Sequence, residues 1–263
     1  MARLVYTAVF GGYDRVFPPV VPEPGIDHVL VTDDPTMQAP GWRTLVIDST
    51  VYGSSKAANL HYRALIHRML PGYDVSLYVD GNVRLIGRTS EVFDGFEASG
   101  ATLGVFRHPL RDNIADEVEA CISAGKGDAA MLRAEHQAYL AEGFTDDQGL
   151  IETTIILKNH RSPDLDPAMA LWWDMFSRFG TRDQISLPVV KARTGVNCVY
   201  HPFSFRDPNP WFGHYPHRGA KGVNPHYADL VARSYDSAPH RMLMHAWRSW
   251  WTVRRALTKM MKD

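Results

Sequence analysis

The sequence predicts an α/β fold built on an open sheet, and three observations carry that expectation. Short apolar runs of strand length recur along the 263 residues. Segments with helical spacing stand between several of them, and the runs end on glycine, carboxylate or amide residues, where an open α/β sheet binds its ligands. A content of 45% hydrophobic and 22% charged residues suits a soluble chain able to bury a full core. A formal net charge of −1 gives no global basic field, which argues against nucleic acid as a partner. Cys121 and Cys198 are too few for a disulfide framework and lack zinc spacing, so a reducing cytoplasm is expected. The Leu4 to Phe10 run is too short for a secretion signal, and no stretch reaches the ~20 apolar residues of a membrane span.

Taken in order, residues 3–10 read as a buried strand halted by Gly11-Gly12, where the backbone can turn or approach a ligand. His28 to Thr32 and Trp42 to Ile47 are further short strands. The first of these closes on Asp33-Asp34-Pro35, either a base or ribose contact or ordinary turn chemistry. Ser54-Ser55 offers N-caps for a helix running to about Met69, with Pro71-Gly72 beyond it. Lys56, Asn59, Arg63 and His67 form one polar stripe along that helix. Cations beginning at a helix N-terminus oppose the macrodipole unless an anion joins them, so the stripe is either a diphosphate contact or a solvated face.

The apolar run Leu77-Tyr78-Val79 stops on Asp80-Gly81-Asn82. Asp80 and Asn82 offer oxygen ligands to a hard cation such as Mn²⁺ or Mg²⁺; the same three residues also make a turn. A short helix over Ser90 to Phe96 and a strand over Ala101 to Phe106 follow, delivering His108 to the strand end. Residues 112–143 read as two helices broken around Gly125-Lys126-Gly127 and packed over the sheet. Ile151 to Lys158 is a buried strand with Glu152 at its start, where an unpaired carboxylate is costly. Asp166 to Phe179 is an amphipathic helix with Trp172-Trp173 in its core face, and another helix begins at Asp183-Gln184. Residues 199–225 form a long irregular segment carrying His201, His214, His217, Arg218 and Lys221, a composition suited to a metal and a diphosphate. From His240 to Lys262 a helix interleaves Trp247, Trp250 and Trp251 with Arg241, Arg248, Arg254, Arg255 and Lys259. That pattern suits either an anionic membrane surface or packing on the chain's own domain.

Val5 to Asp14, Tyr78 to Asn82, Gly149 to Glu152 and Arg182 to Ser186 together resemble one family, over roughly residues 3–218. It is the glycosyltransferase-like domain family, formerly of unknown function, of bacterial surface-polysaccharide and plant mucilage-related proteins. The family is similar to glycogenin-like retaining transferases that use UDP-sugars and Mn²⁺. The resemblance implies a GT-A-like nucleotide-binding sandwich with a mixed, mainly parallel central sheet flanked by helices. It would occupy residues 1–237 as one domain with a helical insert around 111–143, followed by a basic, Trp-rich helix at 238–263.

By the same resemblance, Phe10 and Tyr13 line the nucleobase pocket, Asp33 contacts base or ribose, and Lys56 and Arg63 face the diphosphate. Asp80, Asn82 and His217 hold Mn²⁺ or Mg²⁺, and Lys221 contributes to the nucleotide-sugar site; His108 is added to that site from its place at a strand end alone, where a structural histidine is the alternative. Asp183 and Glu152 stand near the transferred sugar and acceptor as the catalytic pair. Asn82 replaces an acid in the metal triplet, and no Trp follows Lys221. The implied donor is a nucleotide sugar, UDP-sugar favoured, and the acceptor a glycan or lipid-linked hydroxyl. Retention is inherited from the family's neighbours, whereas Asp183 acting as a base would give inversion. The protein would be cytoplasmic, with peripheral membrane contact through its last helix. The competing readings are a phosphoesterase using Asp33, Asp34 and Asp80, and a non-catalytic carbohydrate-binding scaffold.

Overall fold

The computed structural model describes residues 1–180 and 182–260, with the side chains of Arg248 and of residues 251–260 outside that description. Lys262 and the side chains of Trp251, Arg254, Arg255 and Lys259, expected to form the basic aromatic tail, therefore lie outside the described residues.

The chain opens with β1 (Arg3–Val9), β2 (Ile26–Thr32) and β3 (Arg43–Val46), and then enters helix α1 (Ser55–Met69). The Ser54 side chain caps α1 by accepting from the Ala57 amide at 3.1 Å, as its place before the periodic stretch predicts. β4 (Val75–Val79), β5 (Val83–Leu85), α2 (Thr89–Ser99) and β6 (Leu103–Arg107) follow. The predicted helical insert is the pair α3 (Ile114–Ser123) and α4 (Ala129–Ala141). Then come β7 (Ile151–Asn159), α5 (Leu165–Phe179), α6 (Asp183–Thr194), β8 (Cys198–Tyr200), β9 (Phe212–His214), α7 (Pro225–Arg233) and α8 (Ala238–Met260).

Among the described residues, one 7-stranded sheet has the order β3-β2-β1-β4-β7-β6-β8. Every pairing in it is parallel except those of β7, which runs against both β4 and β6. The fold is therefore α/β with a mixed, mainly parallel sheet, and helices cover its faces. The strand order reverses at β1, whose neighbours are β2 and β4, so a crevice opens beyond the carboxyl ends of those strands. Because β7 is reversed, its amino end meets the carboxyl ends of β4 and β6. This brings Asp80, Glu152 and His108 to one edge: the Asp80 amide donates to the Thr154 carbonyl and the His108 amide to the Leu150 carbonyl.

One core lies between the sheet and α1, α5 and α6, with Tyr6, Ile66, Ile156 and Trp172 buried in it. Trp172 is thus a core residue, and its indole nitrogen donates to the Asp183 carbonyl at 3.1 Å. A second core, with Leu77, Phe93 and Leu157, fills the opposite face. The sequence does not announce the small antiparallel ribbon of β5 with β9, in which Val83 faces His214. A three-residue strand has no periodicity to detect, and its partner is remote in the chain. The ribbon carries the late irregular segment back to the mouth of the crevice.

Candidate active site

Val9 leads into Gly11 and Gly12, both at φ +63°, a left-handed conformation that glycine adopts without penalty. The turn is held by Asp33, whose carboxylate accepts the Gly11 amide at 3.0 Å and the Ser49 hydroxyl at 2.7 Å. It packs against the start of α1, where a Cβ on Gly11 would stand 2.8 Å from Ser55 Oγ. Asp14, buried just beyond, accepts from His217 Nδ1 at 2.7 Å and from the Arg218 amide at 2.9 Å. These bonds and the Gly219 amide to the Tyr13 carbonyl tie the late segment over the first loop. Burial disfavours the charged form of His217, but the bond to Asp14 together with the charges of Asp14 and Asp80 raises its pKa above the ordinary value.

At the end of β4, Tyr78 donates to Asp80 Oδ1 at 2.6 Å, and Arg63 Nη2 reaches the same oxygen at 2.7 Å. The other arm of Arg63 pairs with Asp183, which also accepts from Thr153 Oγ1 at 2.6 Å. Asn59 accepts from the guanidinium at 2.9 Å, and Tyr78 lies beneath it with its ring centre 4.6 Å away. Arg63 is accordingly buried and doubly ion-paired, which corrects the alternative of a solvated helix face. Burial opposes its charge, yet Asp80, Tyr78 and Asp183 together hold its pKa above the ordinary value. Burial would raise the Asp183 pKa, but Arg63 first and Arg182 second keep it below the usual carboxylate range.

Asn82 is 1% exposed. Its Nδ2 donates to the Tyr215 carbonyl at 2.8 Å and approaches His214 Nε2 at 3.1 Å, whereas Oδ1 has no hydrogen-bond partner. The Tyr215 carbonyl fixes this orientation, since a flipped amide would set two oxygens against each other. Gly81 is required by close approach: a Cβ there would meet Val9 Cγ2 at 2.7 Å and Asp14 Cβ at 3.0 Å.

Arg63, Asp80, Asn82, Asp183 and His217 line one cleft of ≈ 920 Å³, which also takes in Phe10, Tyr13, Lys56, His108 and Glu152. Of the residues assigned from sequence to the donor, metal and catalytic roles, it gathers all but Asp33 and Lys221. Asp33 is committed to the turn behind the cleft, and Lys221 lies exposed in the turn beyond His217. Lys56 donates to the Gly180 carbonyl at 3.3 Å with its ammonium 5.5 Å from the centre of the Phe176 ring. On the far side of the cleft, Glu152 is 1% exposed and pairs with Arg206 at 2.5 Å. The His108 pKa is lowered by burial, and its Nδ1 accepts the Arg111 amide at 3.1 Å.

Sequence reasoning did not single out Asp14, Thr153, Arg182 or Arg206. A buried Glu152 demanded a cation, but no local spacing named Arg206. The phosphoesterase cluster is not formed, because Asp33 serves the Gly11 turn, Asp34 caps its own turn at Thr36 and Asp80 is held by Arg63. A smaller cavity of ≈ 600 Å³ elsewhere involves acids that already have partners, Glu23 with Ser90 and Glu97 with Arg3.

The chain is 30% identical over 175 residues to the probable hexosyltransferase MUCI70 of Arabidopsis thaliana, an alignment covering 63% of this chain and 30% of the plant protein. It thus spans under a third of that relative's length. Among solved structures, the galactosyltransferase LgtC in complex with donor and acceptor sugar analogs is 12% identical, with a TM-score of 0.49 and coverage of 94% of this chain and 99% of that one. The apo form of the glycosyltransferase GlyE of Streptococcus pneumoniae TIGR4 is 11% identical, with a TM-score of 0.49 and coverage of 95% and 64%. The profile of the TOD1/MUCI70 glycosyltransferase-like domain matches residues 26–208, a stretch containing Arg63, Asp80, Asn82, Glu152 and Asp183. On that match, the chain belongs to the TOD1/MUCI70 glycosyltransferase-like domain family.

Proposed function

We propose that the cleft transfers a glycosyl group from a nucleotide-diphosphate sugar, a UDP-sugar by preference, to a hydroxyl of a glycan or lipid-linked acceptor in a GT-A-like manner. The observation that carries this reading is the single guanidinium of Arg63 joining Asp80, at the sheet's switch point, to Asp183 across the cleft. Such an arrangement sets a cation-attracting carboxylate and a sugar-facing carboxylate at fixed positions around one ligand. Phe10 and Tyr13 face the base, Lys56 faces the anionic part of the donor, and Glu152 lies toward the acceptor. Asp33 acts on the nucleotide through the turn that it holds, and Lys221 reaches the donor as the late segment closes.

The donor chemistry at Asp80, Asn82 and His217 fits Mn²⁺ or Mg²⁺. Asn82 Oδ1 is an oxygen without a hydrogen-bond partner, and Asp14 on Nδ1 of His217 leaves Nε2 as the ligating nitrogen. Among the described residues, however, no three His, Cys, Asp or Glu side chains converge as a metal site. The set therefore suits a cation that would arrive with the diphosphate, with Asp80, Asn82 and His217 as the protein groups that would hold it. That cation, when bound, offsets charge developing on the departing diphosphate. Asp183, with Arg63 and Thr153 both on its Oδ2 and its carboxyl held, against burial, below the usual carboxylate range by Arg63 and then Arg182, is a poor proton acceptor at neutral pH. It is better suited to facing positive charge on the sugar carbon, and this favours retention over inversion.

Free Cys121 and Cys198 accord with a cytoplasmic place, where nucleotide sugars are available. No helix among the described residues is long and apolar enough to cross a membrane. The exposed Met242, Leu243 and Trp250 of α8 support peripheral contact with an anionic bilayer. The main test is calorimetry of UDP with and without Mn²⁺, followed by UDP-sugar turnover. Cation-dependent UDP binding is expected, and hydrolysis of simple phosphate esters without UDP binding would overturn the reading.

A further inference from the structure

Lys158 is fully buried on β7, and among the described residues its hydrogen-bond partners are neutral oxygens. Its ammonium meets three oxygens: Tyr6 Oη at 2.6 Å, the Arg63 carbonyl, and the Ala64 carbonyl at 3.4 Å. Tyr6 Oη in turn donates to the Arg63 carbonyl at 2.9 Å. An unpaired buried lysine is costly, and burial, followed by repulsion from Arg63, pulls its pKa well below the ordinary lysine value. Oxygens of helical carbonyls are an unusual destination for such a group, since helix carbonyls ordinarily serve the helix itself.

The helix is bent at this place. Leu65, at φ −106° and ψ 20°, interrupts α1 directly after the two carbonyls that Lys158 holds. Kinks without proline arise where a side chain intrudes on the helical ladder, and Lys158 with Tyr6 is that intrusion. β7 also reaches the other end of the same arginine. Its register shifts so that Leu157 to Glu152 stands opposite Gly104 to Phe106, and this bulge lets both Lys158 and Thr153 face α1. Thr153 Oγ1 bonds the Arg63 guanidinium at 3.2 Å. Arg63 is thus gripped by one strand at its backbone and at its tip.

We infer that Lys158 is a positioning residue: by holding the carbonyls of Arg63 and Ala64 at the α1 kink, it aims the Arg63 guanidinium between Asp80 and Asp183. The inference goes beyond glycosyl transfer and concerns the geometry that any chemistry in this cleft must use.

The test is arginine-detected NMR on the full chain, with the Arg63 signals assigned by their loss in Arg63→Lys. Arg84 serves as an internal control, since it is also buried but bonded to Ala232 and Asp236 at the β5–β9 ribbon. In Lys158→Met, exchange of the Arg63 guanidinium protons should accelerate by about tenfold relative to those of Arg84, as expected for a local opening. Tyr6→Phe, which removes one of the three oxygens, should give an acceleration of about threefold and carries the test if Lys158→Met does not fold. A merely structural lysine would loosen both arginines alike. Equal acceleration at Arg63 and Arg84, or none at Arg63, would overturn the inference. The measurement needs no nucleotide, so its failure is separable from failure of the transferase reading.

Discussion

Asn82 gives its side-chain N–H to the Tyr215 carbonyl at 2.8 Å, and this bond turns its unpartnered oxygen away from the ribbon. A carboxylate at this position would set an oxygen against the carbonyl. Asn82→Asp is therefore expected to lower stability by about 1–3 kcal/mol, the scale of an unmade buried bond. Added charge should still tighten cation binding in the folded fraction. Urea unfolding beside Mn²⁺–UDP calorimetry checks both effects, and an unchanged midpoint would mean that the Tyr215 bond contributes nothing.

Asp80→Asn keeps size and removes charge. The fold should survive, because Tyr78 and Arg63 can still donate to an amide oxygen. Mn²⁺-dependent donor turnover should fall by orders of magnitude. Steady-state rates with and without Mn²⁺ decide it; wild-type turnover in the variant would remove Asp80 from the chemistry.

Lys56 and Arg63 share a helix stripe but not a fate. Lys56→Ala should weaken UDP binding about tenfold, the worth of one charge-assisted bond, with little change in melting temperature. Arg63→Ala strands two carboxylates that are 16% and 14% exposed, and should cost about 3–5 kcal/mol of stability. Thermal melts of the two variants side by side test the contrast.

Glu135, 1% exposed on α4, is pushed up to about 7, chiefly by burial, against the opposing effects of Tyr139 and Lys56. The folded protein thus retains a proton that the unfolded chain releases above its pKa of ~4.3. This contribution favours the native state at low pH and declines as pH rises through that window, by on the order of 3 kcal/mol before levelling off. Glu135→Gln should flatten the profile and be the more stable form at pH 8. Urea midpoints across pH 5–8 that run parallel in both proteins would contradict this.

Removing residues 246–263 leaves Met244 in its small core but takes away Trp247, which stacks on Tyr227 with ring centres 4.4 Å apart. The truncated chain should lose co-sedimentation with anionic liposomes while keeping UDP affinity. Unfolding on truncation would instead make α8 a structural helix.

Much of this was legible in the sequence because the signals were local. The apolar runs at Val5 and Leu77, the Ser54 cap and the Asp80 strand end are each written within a few residues, and the structure carries β1, β4 and α1 there. What escaped notice depends on partners far apart in the chain. Arg206 meets Glu152 and Arg63 meets Asp183 only after the sheet has formed, and a hydrogen bond of that kind leaves no periodicity. Asp33 illustrates the converse: a carboxylate at a strand end suits either a base or ribose contact or a turn, and only the fold reveals that it holds the Gly11 amide and the Ser49 hydroxyl.

The bond from His217 to Asp14 spans 203 positions of the chain. Synthesis proceeds at about 5–20 residues per second, so Asp14 emerges roughly 10–40 s before its imidazole partner exists. During that interval the first strand can form, while the floor of the cleft carries a carboxylate that nothing yet covers. Completion of the site therefore waits for the segment around His217, and a chain interrupted before His214 would hold a sheet without a closed mouth.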